Sequence, residues 1–178
     1  MPKEKLTDKQ FFLIINGPSC GGKSLVSNVL FQKYGGIYNG KSDAIKWLIS
    51  DYDANLHRGI VHHMTLETMR VALSHGLSVF TEGALWEPEK YIEMAKIAKV
   101  SFFVANIDAP WEVLVSRFKT RAEAKKQGVK ISNIDPRRFK ELYDMYINTK
   151  MKTELEFDSS KQNPEEIAEV IVSYIRIH

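Results

Sequence analysis

Gly17-Pro18-Ser19-Cys20-Gly21-Gly22-Lys23-Ser24 follows the apolar run Phe11-Phe12-Leu13-Ile14-Ile15 and leads into Leu25-Val26-Ser27-Asn28-Val29-Leu30-Phe31. The first run suits a buried strand, and the second repeats its apolar residues at helical spacing. Between them the chain reads G-x-x-x-x-G-K-[ST], in the setting of strand, loop and helix that this motif requires. Glycines let such a loop turn tightly and aim its N–H groups inward, which makes an anion nest at a helix N-terminus. Lys23 then reaches the β- and γ-phosphates as a point charge, and the Ser24 hydroxyl sits on Mg²⁺. A bare glycine turn beside an unrelated lysine would not come with both flanking elements. The stretch Gly17 to Ser24 therefore reads as a nucleoside triphosphate site.

Around this loop the pattern alternates. Strands are expected over 11–16, 37–42, 77–81, 100–107 and 154–158. Helices are expected over 23–34, 43–50, 56–75, from 88 onward, from 111 towards 126, over 137–148 and from 164. In the second helix Ala44, Ile45, Trp47 and Leu48 are placed on or near the buried face. Asn163-Pro164-Glu165-Glu166 opens the last helix with a cap residue, a proline at the first position and a glutamate at the third. Its apolar stripe is Ile167, Val170, Ile171, Tyr174 and Ile175. Alternating strands and helices predict an α/β fold, a parallel sheet covered on both faces. No linker or repeat interrupts the pattern, so residues 1–178 are read as one domain.

Composition bounds the remaining classes. A hydrophobic fraction of 44% and a charged fraction of 26% over 178 residues suit a globular domain with a full core. A net charge of +3 is too small to imply nucleic acid by itself. Residues 1–10 carry no apolar segment of a signal peptide, and no apolar run is long enough to span a membrane, so a cytoplasmic enzyme is expected. Cys20, the only cysteine, leaves no intramolecular disulfide and no multi-cysteine zinc site. Inside the loop it reads as a small filler or as a thiol that the nearby amides favour as thiolate.

Three further features bear on chemistry. Asp43 follows the second strand, on the rim where open α/β sheets bind ligands. It reads as a general base for an attacking hydroxyl or as a helix N-cap. Glu82 follows the third strand, where an acidic residue can hold a metal-bound water or be an ordinary solvated charge. Arg117 and Arg121 are four apart and share a helix face, followed by Lys125, Lys126, Lys130, Arg137 and Arg138. They read as a basic flap over phosphates or as a solvated basic face. His57, His62, His63 and His75 crowd one helix, yet a zinc site needs three or four ligands in one place. Arg58 and Arg70 are surface charges or contacts to an anionic acceptor. Trp47, Trp86 and Trp111 are core or rim residues or stack on a base, with Trp86 nearest an acceptor.

Taken together, these residues resemble the adenylate-kinase-like group of small P-loop kinases. Within it the chain is most similar to the branch of the polynucleotide 5′-hydroxyl kinases, zeta toxins and chloramphenicol phosphotransferases. The resemblance implies a three-layer α/β/α P-loop NTPase fold, a five-stranded parallel sheet in the order 2-3-1-4-5, and a small helical lid at about 117–138. The polynucleotide kinases carry Asp-x-x-Arg after the second strand. Here Asp43 and Lys46 stand in those places, with lysine for arginine. Asp43 is thereby implied as the base and Lys46 as an acceptor contact. One or both of Arg117 and Arg121 are implied to touch the ATP phosphates. The loop Ser159-Ser160-Lys161-Gln162 is implied to border the adenine. Lys23, Asp43, Arg117 and Arg121 form the expected catalytic set, with Mg²⁺ on Ser24 and, through water, on Glu82. Asp43, Lys46, Arg58, Glu82 and Trp86 are expected at the acceptor.

The expected reaction moves the γ-phosphoryl group of ATP to a hydroxyl of a small molecule, a nucleoside or nucleotide, or a nucleic acid 5′ end. A nucleoside monophosphate kinase would need an arginine cluster at the acceptor, for which Arg58 and Arg70 are the only candidates. A guanine-specific switch would need Asn-Lys-x-Asp, which Asn148-Thr149-Lys150 does not match, so ATP is expected over GTP. A non-catalytic ATP-binding module is the reading from another class.

Overall fold

The computed structural model describes residues 3–83, 87–127 and 135–178, with the backbone alone at 125 and 126. Trp86, Lys130 and the middle of the expected lid, 128–134, lie outside the described residues. The elements run β1 (Phe11–Asn16), α1 (Lys23–Lys33), β2 (Ile37–Asn39), α2 (Ser42–Lys46), α3 (Ala54–Ser74) and β3 (Ser78–Glu82). They continue α4 (Pro88–Ala98), β4 (Ser101–Asp108), α5 (Trp111–Lys126), α6 (Pro136–Thr149), β5 (Leu155–Asp158) and α7 (Pro164–Ile177). The five strands form one sheet in the order β2-β3-β1-β4-β5. All four pairings are parallel.

β1 explains why the sheet is covered twice. All six of its residues are buried, and successive side chains of a strand point to opposite faces. Phe11, Leu13 and Ile15 join Val26 and Leu30 of α1 and Ile167, Ile171 and Ile175 of α7. Phe12 and Ile14 join Leu66, Met69 and Leu73 of α3 and Tyr91, Met94 and Ala95 of α4. An unbroken apolar strand has no polar face to give to water, so helices must close both sides. β1 lies between β3 and β4. The loop after it thus opens where successive connections leave to opposite sides, the position at which open α/β sheets bind ligands.

Two local expectations are corrected. β2 ends at Asn39 and does not reach Ser42; beyond it the Gly40 amide still donates to the Phe80 carbonyl at 2.8 Å, and the Gly40 carbonyl accepts from the Thr81 hydroxyl at 2.9 Å. α2 is one turn shorter than expected at its C-terminus. The Leu48 and Ile49 amides donate to the Ile45 and Lys46 carbonyls, three residues back, and this tighter winding turns the next side chains away from the core. Only Ile45 of the four expected residues is buried, while Ala44 is exposed and Trp47 and Leu48 are 62% and 78% exposed. In α7 the buried stripe is Ile167, Ala168, Ile171, Val172 and Ile175, with Val170 turned to solvent.

The start of α7 matches its sequence signal. Asn163 accepts from the Glu166 amide at 2.9 Å, and the Glu166 carboxylate accepts from the Asn163 amide at 3.0 Å. Replacing Asn163 by Ala removes one acceptor of this reciprocal pair. A loss of about 1 kcal/mol in unfolding free energy is expected, measured by urea titration. A change near zero would show that the capping box adds nothing to α7.

Candidate functional site

The loop after β1 lies flat against the end of β4. A Cβ at Gly17 would stand 2.0 Å from the Ile107 carbonyl oxygen, and one at Gly21 would stand 2.9 Å from the same atom. Both approaches are open only to glycine. Within the loop the Gly21 amide donates to the Pro18 carbonyl at 3.1 Å. Helix α1 starts at Gly22 with no side-chain cap. Its first turn thus has no side-chain acceptor, and the positive end of the helix dipole lies at the loop.

Lys23 folds back over this loop, its ammonium donating to the Pro18 carbonyl at 2.6 Å. Burial lowers its pKa to about 8, against the pull of Glu82, Cys20 and Asp108, while Arg121 lowers it further. The Asp108 carboxyl, at the end of β4, is itself pushed up by burial, although the Ala109 amide donates to it at 2.7 Å.

Beside Lys23 the expected metal residues meet. The Ser24 hydroxyl donates to Glu82 Oε2 at 2.6 Å. Glu82 Oε1 accepts from the Ser27 hydroxyl at 3.1 Å and from the Lys41 ammonium at 2.7 Å. Lys41 also donates to Asn28 Oδ1 at 3.0 Å. A hydroxyl and a carboxylate in contact, at the mouth of a phosphate loop, are the hard oxygen donors that Mg²⁺ takes when it keeps waters and shares phosphates. These two residues fit that ion. Among the described residues no group of three or more His, Cys, Asp or Glu side chains is placed to hold a metal, the α3 histidines included.

The other expected residues are distributed as follows. Asp43 lies in the first turn of α2, mostly exposed, and Lys46 donates to it at 2.8 Å. Lys41, not Asp43, occupies the cap position of α2, so the capping alternative for Asp43 does not hold. The Lys46 ammonium also lies 4.8 Å from the centre of the Trp47 ring. Arg117 donates to the Cys20 carbonyl at 3.2 Å, to the Ser159 hydroxyl at 2.8 Å and to the Ser159 carbonyl at 2.8 Å. Its guanidinium thus ties α5 to the phosphate loop and to the loop after β5. Arg121 lies above the same loop, 3.8 Å from the Cys20 sulfur.

The turn that holds Ser159 to Gln162 is organised by Asp158, which accepts from the Ser160 amide and hydroxyl at 2.9 and 2.6 Å. The Ser159 amide in turn donates to the Asp108 carbonyl at 2.8 Å. Arg58 is exposed on α3, and Arg70 pairs with Glu67. Trp111 stacks on Phe139 in the cluster that joins α5 to α6.

Sequence reading missed Lys41, Ser27 and Asn28. Their signal is present in hindsight: Ser27 and Asn28 stand three and four residues after Ser24 and share its helix face.

No protein-family description and no curated protein matches the sequence. Solved structures do match the fold. A candidate kinase from Chloroflexus aurantiacus J-10-fl superposes with a TM-score of 0.69 at 20% identity, over 96% of this chain and 99% of that one. Shikimate kinase from Aquifex aeolicus VF5 gives 0.58 at 18% identity, over 93% and 96%. The Deinococcus radiodurans tunicamycin resistance protein gives 0.61 at 14% identity, over 94% and 96%. The chain therefore has the fold of the small P-loop kinases, with the strand order that the resemblance implied.

The lowered pKa of Lys23 has a sign that can be tested. Below about pH 8 the amine is charged, and above it the amine is neutral. A bound triphosphate would favour the charged form, so the complex would hold the proton to higher pH than the free protein. Affinity for ATP should fall above pH 8, by at most about tenfold per pH unit. Calorimetric titration from about pH 6.5 to 9.5 checks this. A Lys23→Met variant, weaker throughout, should show no such fall.

Proposed function

We propose that the chain is an ATP-dependent phosphotransferase that moves the γ-phosphoryl group to an acceptor hydroxyl. The observation that carries this reading is the contact between Ser24 and Glu82 at the mouth of a loop whose amides and Lys23 suit a triphosphate. The fold of the P-loop kinases supports it. Residues 1–178 act in this reading as one domain, with the segment at about 117–138 as its lid.

In the reaction, Gly17 to Ser24 hold the phosphates and Lys23 neutralises charge on the β- and γ-groups. Arg117 and Arg121 add positive charge from α5, and Ser159 to Gln162 line the adenine. Ser24 and, through water, Glu82 would hold Mg²⁺, which would supply screening for the charge that develops on the transferring group. Asp43 takes the proton of the acceptor hydroxyl. Lys46 orients Asp43 through the bond already formed between them. Arg58 and Trp86 complete the acceptor side. Shikimate kinase and a tunicamycin resistance protein share the fold, so small hydroxyl compounds come first among acceptors to try. Nucleosides, nucleotides and 5′ ends of nucleic acid follow.

ADP release with pooled hydroxyl acceptors tests the reading. Acceptor-dependent release is expected, and Asp43→Asn should lower it by about 10²–10⁴-fold while ATP affinity stays within about twofold. Turnover by Asp43→Asn at the wild-type rate would remove Asp43 from the mechanism. Transfer to nucleoside monophosphates alone would replace the hydroxyl acceptor with a phosphate.

A further inference from the structure

Lys41 is the one ammonium in contact with the carboxylate assigned to the metal, among the described residues. Its position follows from the sheet. β2 and β3 are in parallel register, with Ile37 opposite Ser78, Tyr38 opposite Val79 and Asn39 opposite Phe80. The register persists beyond the end of β2, since the Gly40 amide donates to the Phe80 carbonyl at 2.8 Å and the Thr81 hydroxyl donates to the Gly40 carbonyl. One step further, Lys41 falls opposite Glu82.

Both side chains are sheltered, with exposures of 22% for Lys41 and 11% for Glu82. Water therefore screens this pair far less than it would a surface ion pair. A metal on Ser24 and Glu82 must share the carboxylate with a fixed positive charge.

We infer that Lys41 is a resident counter-ion that keeps Glu82 from taking a divalent cation on its own, so that the metal enters only together with the nucleotide phosphates. This rests on the phosphotransferase reading of the same site. Without phosphate, the ammonium holds Glu82 and repels an approaching dication. With a triphosphate in the loop, the added negative charge outweighs that repulsion, and Glu82 serves both cations. Asn28 steadies the ammonium through its second bond. A merely structural salt bridge has the opposite signature: removing its lysine would loosen Glu82 and weaken any metal site there.

Direct binding of Mn²⁺ to nucleotide-free protein, read by electron paramagnetic resonance of the free ion, tests this. Lys41→Met and Lys41→Gln should each bind Mn²⁺ about tenfold tighter than the wild type, or more, because a unit positive charge next to the site is gone. Lys41→Arg, which keeps the charge, should bind as weakly as the wild type. Adding Glu82→Gln to Lys41→Met should abolish the gain. A circular dichroism spectrum equal to that of the wild type and an unfolding midpoint well above the titration temperature qualify each variant.

Equal or weaker Mn²⁺ binding by folded Lys41→Met and Lys41→Gln overturns the inference. So does a gain that survives Glu82→Gln, or a gain by Lys41→Arg as large as that of Lys41→Met. Failure of the phosphotransferase reading shows separately, as ADP release that no acceptor raises in the wild-type protein.

Discussion

The Ile107 carbonyl oxygen, at the end of β4, is the surface on which the site is moulded. Positions 17 and 21 both press against it so closely that neither tolerates a side-chain carbon. β4 is held at that height by pairing with β1 along six positions, from Phe11 opposite Ser101 to Asn16 opposite Asn106. The last pair adds a side-chain bond, Asn16 Nδ2 donating to Asn106 Oδ1 at 3.0 Å. Strand register thus sets loop shape, and loop shape sends Lys23 back over Pro18. Any shift of β1 against β4 would move the cradle and its lysine together.

Charge is balanced around this loop in two separate groups. Lys23 sits among Glu82, Asp108 and Cys20, with Arg121 opposing. Lys41 sits between Glu82 and Asn28. Glu82 belongs to both groups and accepts three hydrogen bonds, so it is the group through which a change on one side is felt on the other. Its sheltered place at the carboxyl end of β3 is what gives these interactions their strength, because exposed ion pairs of equal length contribute little.

Much of this was legible in the sequence for a simple reason: the motif, the strand before it and the helix after it are adjacent in the chain. The capping box of α7 was legible on the same ground, being complete within four residues. Lys41 was not, since its partner Glu82 comes far later and meets it only through the pairing of β2 with β3. Arg117 was found as a member of a basic face, yet its ties to Cys20 and Ser159 depend on how α5 and the turn after β5 converge. Trp47 and Leu48 were misplaced because periodicity assumes that a helix continues. The bonds after Ile45 tighten, and the apolar repeat loses its face. The strand order came from family likeness, as pattern alone does not state which strands are neighbours.

Helix α1 begins without a side chain to satisfy its first amides, unlike α3, α6 and α7, which are capped by Asp53, Asp135 and Asn163. An anion bound at that end would complete the helix as an aspartate does elsewhere. Occupancy and folding would then be linked equilibria, in which each tenfold rise in a saturating ligand raises unfolding free energy by about 1.4 kcal/mol. A melting curve then becomes a scale on which phosphorylated compounds can be ranked, with no need to know what the protein does to them.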